Sequence, residues 1–172
     1  MSLRDTSLRD KLIRNFKDLA LEKFERAPLY ETRCARVIGA RMEGVLARDL
    51  GVGYDELPPG KTGCPYHSHY AEEEMFIVLE GEGTLRVAGE RIPIRAGDII
   101  DIPAGPEYPH QIINTSEAPL KFLSISTQKT PEVCEYPDSG KYGVYAKPAG
   151  GILAGRRMHR PATDLDYWDG EP

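Results

Sequence analysis

The sequence predicts an all-β protein, built as a sandwich or barrel of short antiparallel strands. From residue 32 onward, apolar and polar residues alternate with a period of two, the spacing of a strand with one buried face. Turn-forming segments separate these stretches at intervals of about eight to twelve residues, as in sandwiches and barrels. No long helical pattern interrupts residues 32 to 127. Together these observations favour a closed or two-layered antiparallel fold.

The alternating region divides into eight predicted strands, followed by a less regular segment. Glycine- and proline-rich turns such as Pro58-Pro59-Gly60 mark the boundaries. The predicted strands span residues 35–40, 45–57, 73–80, 83–88, 90–94, 98–103, 110–114 and 120–127. After residue 127 the alternation fades, so 131–143 is interpreted as a loop with a turn at 137–140. Residues 143–147 form a candidate further strand.

The segment that precedes the strands has a helical pattern. Leu8, Leu12, Phe16, Leu19 and Phe24 recur at steps of three to five, with charged residues between them. This spacing predicts an amphipathic helix, or two short ones, over 6–26. Three regions follow: an N-terminal helical extension (1–31), a β-barrel domain (32–147) and a C-terminal tail (148–172) packed on the barrel. The tail is expected to use Trp168 as its anchor or to cover a pocket mouth as a lid.

Composition restricts the classes of partner. The chain has 172 residues, enough for one domain with a full core, and its net charge is −5. An acidic chain without a basic patch does not favour nucleic acid or an anionic membrane as a partner. Its apolar runs reach about five residues, far short of a membrane span. Three scattered cysteines and no visible secretory signal predict a cytoplasmic protein with reduced thiols.

Residues 65–81 contain most of a possible metal site. His67 and His69 are one residue apart, so on an extended strand both side chains point the same way. Glu74 shares a strand face with the apolar residues that follow it, whereas Glu73 has the opposite parity. Glu72 shares the parity of Glu74 but precedes the apolar run, which suggests a role around the ligands. If these strands lie side by side, two imidazoles and a carboxylate converge, as a divalent metal requires.

This stretch resembles the first motif of the cupin superfamily, in which His-x-His is followed by a glutamate and then a glycine. The matching positions are Gly60, His67, His69, Glu74 and Gly81. The glutamate lies four residues after the second histidine and the glycine six residues after the glutamate. The leading glycine is one position further from the first histidine than is usual.

Residues 97–114 resemble the second cupin motif. The matching positions are Gly97, Pro103, Gly105, His110 and Asn114. The gap between Gly105 and His110 is two residues longer than usual, and Tyr108 occupies the expected histidine position. The spacing of three residues from His110 to Asn114 is intact, which places the insertion before His110. The two motifs belong to a resemblance that spans residues 45 to 127.

The resemblance implies a double-stranded β-helix, or jelly-roll barrel, with a metal inside one open end. It implies a divalent transition metal, such as Mn, Fe, Zn or Ni, held by His67, His69, Glu74 and His110. An isolated histidine is more often a core or surface residue, yet three of the four histidines fall on motif positions. His159, in the tail, is not expected to be a ligand.

The resemblance leaves three functions open. The first is a metalloenzyme acting on a small polar molecule, as a sugar or sugar-phosphate isomerase. Such an enzyme needs a proton-transfer group, for which Glu72 and Tyr108 are the candidates. The alternatives are an iron-dependent dioxygenase and a non-enzymatic binder of a small ligand. A phosphate would also need a basic clamp, for which Arg41, Arg48 and Lys61 are candidates by position.

Three further expectations concern the surroundings of the site and the assembly. Cys64 lies three residues before His67 and is interpreted as a small buried thiol, with a zinc-binding thiolate as the alternative. Tyr66 is expected near the barrel mouth, either in packing or in substrate contact. A homodimer is expected because small cupins commonly pair through their sheets, and the predicted strand 35–40 offers an edge for pairing.

Overall fold

The computed structural model describes residues 8–26, 28–39, 49–146, 155–161 and 164–171. Within these ranges the chain forms a short helix, α1 (Leu8–Leu12), a 3-10 turn (Phe16–Asp18) and thirteen strands. The strands are β1 (Glu22–Arg26), β2 (Tyr30–Ile38), β3 (Gly51–Leu57), β4 (Ser68–His69), β5 (Glu74–Glu80), β6 (Glu82–Val87), β7 (Glu90–Arg95), β8 (Ile99–Ile102), β9 (His110–Ile113), β10 (Leu120–Ser126), β11 (Glu132–Tyr136), β12 (Lys141–Ala146) and β13 (Gly155–His159).

The strands form three antiparallel sheets arranged as a jelly-roll barrel, which confirms the all-β prediction. The first sheet has the order β1-β2-β3-β10-β5-β8, the second β13-β12-β11-β4 and the third β7-β6-β9. The hydrophobic core contains side chains from the first and third sheets, so it lies between them. Its buried members are Leu57, Phe76, Val78, Leu85, Ile94, Ile100, Ile102, Ile112, Leu120 and Phe122.

Two motif residues, Gly81 and Asn114, fix the course of the backbone in the barrel. Gly81 has a φ of +84° in the turn between β5 and β6, and a Cβ there would lie 2.5 Å from the carbonyl oxygen of Pro119. Asn114 is fully buried, and its Nδ2 donates hydrogen bonds of 2.8 Å to the carbonyl oxygens of Leu57 and Ala118. These motif positions therefore shape the barrel and not its chemistry.

The predicted helix over 6–26 is wrong. Within the described part of this stretch, only residues 8–12 are α-helical, and residues 22–26 form β1 instead. A helix of this length is marginal without tertiary support, whereas the exposed edge of β2 offers a ladder of backbone partners. Glu22 pairs with Cys34 and Arg26 with Tyr30 in that ladder. Tertiary pairing thus overrides the local helical pattern.

The prediction of a loop over 131–143 is also wrong in part. The turn at 137–140 is present, but residues 132–136 form β11. Glu132, Cys134 and Tyr136 point inward and are buried, while the residues between them are less buried. The inward row contains a carboxylate, so the alternation was not visible as an apolar one. β13 lies within the segment predicted as a tail, and the Trp168 side chain expected as an anchor is 70% exposed.

Other sequence expectations concern cysteines and membranes. Cys34, Cys64 and Cys134 are all free thiols. Among the described residues, no helix is long and apolar enough to cross a membrane. Predicted strand residues 45–48 and 40, and Lys147, lie outside the described residues.

Candidate metal centre

Four side chains, which come from β4, β5, β9 and the segment just before β4, meet at one end of the barrel. His67 and His110 face each other across a two-residue backbone bridge, with N–H to O hydrogen bonds of 3.1 and 2.7 Å. His69 ends β4, and Glu74 begins β5. Their ligand atoms all lie within 4.8 Å of one another. The structure thus brings together the four residues that the sequence predicted as a set.

Glu74 lies between two of the imidazoles. Its Oε2 is 2.8 Å from Nε2 of His110 and 3.4 Å from Nε2 of His69. The ring centroids of His67 and His110 are 4.7 Å apart. His110 is only 1% exposed, and Glu74 is 16% exposed. The cluster is therefore largely screened from solvent.

Nδ1 of His67 and Nδ1 of His110 each contact a backbone carbonyl oxygen, and these contacts set the orientation of both rings. Nδ1 of His67 lies 2.8 Å from the carbonyl oxygen of Pro65, and Nδ1 of His110 lies 3.2 Å from that of Tyr108. A carbonyl oxygen only accepts, so each Nδ1 carries the proton when the ring is neutral. Each neutral ring then keeps its lone pair on Nε2, the atom that a metal would bind.

His69 is oriented by strand β11. Its Nδ1 lies 3.5 Å from Oε1 of Glu132 and 3.4 Å from Sγ of Cys134. Cys134 is the direct cross-strand partner of His69. Nδ1 of all three histidines thus contacts an outer group, and for His69 that group includes a carboxylate.

Glu132 also organises the loop that leads to Glu74. The carboxylate is 3% exposed and accepts hydrogen bonds of 2.8 to 2.9 Å from the backbone N–H groups of Tyr70, Ala71 and Glu72. One buried carboxylate therefore contacts His69 and fixes the chain between His69 and Glu74. Sequence reasoning missed Glu132 because it lies outside both motifs, in a segment interpreted as a loop.

The charges in the cluster act on one another. Burial opposes ionisation of Glu74, but its contacts with His110 and His69 hold its pKa well below the usual range. Burial and the neighbouring imidazoles lower the pKa of His67 to about 4. Burial also disfavours the charge on His69, yet Cys134, Glu132 and Glu74 together raise its pKa to about 12. The cluster thus attracts positive charge most strongly at His69.

The cluster fits a divalent transition metal. Nε2 of His69 is buried and has no hydrogen-bond partner among the described residues. A buried polar atom without a partner is costly, and a metal bond would satisfy it. Imidazole nitrogens with one carboxylate oxygen suit Mn, Fe, Zn or Ni. His67, His69, Glu74 and His110 are the residues that would hold the ion.

The two predicted proton-transfer residues lie around the cluster. The side chain of Glu72 is partly buried, and burial raises the pKa of its carboxyl. Tyr108 is 43% exposed, and its carbonyl oxygen accepts the hydrogen bond from His110. Glu73 is exposed, as its strand parity predicted. The catalytic roles of Glu72 and Tyr108 stay predictions.

The other candidates take structural positions. Burial raises the pKa of Cys64 to about 12, so it is a thiol, and its Sγ is 4.0 Å from Nδ1 of His67. Tyr66 is 5% exposed. The Cζ atom of Arg86 lies over the Tyr66 ring, 3.7 Å from the ring centroid. Lys61 donates a hydrogen bond of 2.6 Å to the carbonyl oxygen of Pro28. Arg41 and Arg48 lie outside the described residues.

Two cavities meet at the cluster. The inner cavity has a volume of about 230 Å³ and is lined by His67, Glu74 and His110 together with core residues. The outer cavity, of about 640 Å³, lies against β2, β3 and β10 and also reaches Glu74. Asp55 and Ser124 line both cavities. Sequence reasoning did not single out either residue, because strand parity alone does not show which polar residue faces a cavity.

Comparison with known proteins places these observations in a family. Residues 53–126 match the cupin domain family. A sugar phosphate isomerase of a cupin superfamily from Silicibacter pomeroyi superposes with a TM-score of 0.63 at 26% identity, over 78% of this chain and 81% of that one. The oxalate-binding protein of Thermotoga maritima is 37% identical over 70 residues, which cover 41% of this chain and 55% of that protein.

Another similar protein is named as an isomerase of a sugar phosphate. Glucose-6-phosphate isomerase of Pyrococcus abyssi is 32% identical over 89 residues, which cover 45% of this chain and 46% of that protein. The chain therefore spans about half the length of these curated relatives. The fold, the two motifs and the matched residues agree, and residues 53–126 of this chain form a cupin domain.

Proposed function

We propose that this protein is a metal-dependent isomerase of a small polar sugar or sugar phosphate. One observation carries the proposal: three imidazoles and Glu74 meet at the smaller cavity, and Glu74 also lines the larger one. A divalent ion held there would supply a Lewis acid for the carbonyl and hydroxyl oxygens of a substrate. The remaining tasks, which are binding, orientation and proton transfer, fall to side chains of this chain.

The outer cavity offers hydrogen-bonding groups to a polyhydroxylated molecule and one cationic group to a phosphate. The side chains of Ser124, Ser126 and Gln128 line it and offer hydrogen-bonding groups for hydroxyls. Arg36 is exposed and is the one Lys or Arg among the described residues that line it. A guanidinium binds a phosphate through two parallel hydrogen bonds. Arg36 is thus a further clamp candidate beside Arg41 and Arg48, which lie outside the described residues.

The comparisons with known proteins support the isomerase proposal. A sugar phosphate isomerase shares the fold across most of both chains, and a glucose-6-phosphate isomerase shares part of the sequence. Fold alone does not determine chemistry in a barrel of this kind. The likeness therefore adds to the cavity and its polar lining, which remain the main argument.

A second candidate is a non-enzymatic binder of a small dicarboxylate. The relative from Thermotoga maritima is named as an oxalate-binding protein. The two carboxylates of such a ligand would bind the ion that the four residues hold, without any proton transfer. This candidate predicts tight oxalate binding and no product from a sugar.

The test combines metal analysis with turnover. Protein purified without a chelating column is assayed for Mn, Fe, Zn and Ni, and is then incubated with aldose and ketose phosphates under NMR observation. Interconversion of an aldose and its ketose supports the isomerase. Oxalate binding without sugar turnover favours the binder, and iron with dioxygen consumption favours the dioxygenase alternative.

A further inference from the structure

Asp55 lies at the junction of the two cavities. It belongs to β3, opposite Phe122 of β10 and Cys34 of β2. Asp55, Glu74 and Ser124 line both the inner and the outer cavity. The Asp55 carboxylate therefore lines the same cavity as the metal-ligand candidates His67, Glu74 and His110.

The Asp55 carboxylate is held in place by hydroxyl groups and not by a cation. Oδ2 accepts a hydrogen bond of 3.0 Å from Oγ of Ser124, and Oδ1 accepts one of 3.4 Å from Oγ1 of Thr32. Among the described residues, no lysine, arginine or histidine forms an ion pair with it within 4.0 Å. Two neutral donors fix the orientation of the group and leave its charge uncompensated.

A carboxylate without a cationic partner in this position lowers the stability of the fold. Burial, together with the negative charge of Glu74, raises the pKa of Asp55, which means that its ionised form is disfavoured. A partly buried acid without a cationic partner at a cavity is a frequent feature of catalytic sites. Glu132, the other acid near the ligands, differs because backbone N–H groups satisfy it.

We propose that Asp55 is the catalytic carboxyl group that moves the proton between the two reacting carbons of the substrate. This inference rests on the proposed isomerase function. The carboxylate removes the proton from the hydroxyl-bearing carbon, and the C–H electron pair forms a C=C bond as the carbonyl electrons move to oxygen. The hydroxyl proton then passes to that oxygen, a carbonyl forms at the carbon that originally bore the hydroxyl, and Asp55 delivers its proton to the former carbonyl carbon. No oxidant or reductant is needed.

The experiment compares Asp55→Asn with Asp101→Asn, a control at an exposed carboxylate on β8. General acid–base catalysis contributes about 10² to 10⁴ in rate, so D55N is expected to lose at least about a hundredfold of kcat. Metal content is expected to stay at the wild-type level. Solvent deuterium incorporation into the substrate is expected to fall with turnover in D55N and to remain unchanged in D101N.

A second readout is independent of turnover. Replacing an uncompensated buried charge with an amide is expected to raise the Tm of metal-free D55N, because functional residues are often suboptimal for stability. A lower Tm together with lost metal would give Asp55 a structural role and overturn the inference. Asp55→Ala with added formate provides a further variant, and partial recovery of turnover is expected since formate supplies the missing carboxylate.

The outcomes separate the two proposals. Wild-type turnover combined with kcat of D55N within about threefold of wild type overturns the role of Asp55 and leaves the isomerase proposal standing. Wild-type protein that carries metal but converts no sugar overturns both. Loss of turnover in D55N with full metal content and formate recovery in D55A supports the inference.

Discussion

Metal binding to this cluster is expected to release a proton, and its affinity is expected to depend on pH. In the metal-free protein Glu74 and Glu132 favour the protonated ring of His69 and raise its pKa to about 12. A metal needs the lone pair of that ring, so the ion and the proton compete. The pKa of His67, lowered to about 4, keeps that ring neutral and out of this competition.

The magnitude follows from one displaced proton. Between pH 7.5 and pH 8.5 the His69 ring of the metal-free protein stays protonated, since its pKa is about 12. The apparent metal Kd is then expected to fall about tenfold from pH 7.5 to pH 8.5, or about 1.4 kcal/mol in binding free energy. As pH falls, affinity falls with it, because the proton on His69 must be removed.

Titration calorimetry in two buffers of different ionisation enthalpy measures the released proton directly. About one proton per metal ion is expected at pH 8, and competition with a chelator of known pH dependence gives the Kd. Glu132→Gln removes one of the charges that favour the protonated ring, so it is expected to release fewer protons. An affinity that does not change across this window, with no proton released, would refute the reasoning.

Three further predictions concern other parts of the molecule. Glu132→Gln is expected to weaken metal binding by about 10- to 100-fold, while the matched change Glu135→Gln on the same strand leaves it unchanged, measured by chelator competition. Arg36→Ala is expected to raise KM for a phosphorylated sugar at least about tenfold and to leave an unphosphorylated analogue unaffected; equal effects on both would contradict a phosphate clamp. Leu57 is fully buried in the core. Leu57→Ala is expected to lower the free energy of unfolding by about 2 to 5 kcal/mol, as measured by urea denaturation.

The parts of the fold that the sequence predicts are those whose periodicity is local. The strands from residue 73 to 126 appear close to their predicted bounds because apolar residues alternate there and glycine turns end them. β1 and β11 were not predicted, for different reasons. β1 depends on a backbone ladder with β2, and β11 turns a carboxylate inward, so neither shows an apolar alternation in the sequence.

The candidate site shows the same division. The spacing of His67, His69, Glu74 and His110 is a local property of the chain, so the two motifs are sufficient to identify the set. Placement of the two-residue insertion before His110 also agrees with the structure, where His110 and not Tyr108 reaches Glu74. Asp55 and Glu132 depend on which distant strands meet, and no spacing within the motifs indicates them.

Two of the groups that we propose to act at the site lie outside the segment that matches the family. The family match ends at residue 126, whereas Glu132 contacts His69 from β11. It begins at residue 53, whereas Arg36 lines the outer cavity from β2. A comparison limited to the matched segment therefore does not cover these two groups. The reaction of this protein must therefore be tested with variants of residues in the strands that flank the matched segment, because the motif alone is common to many activities.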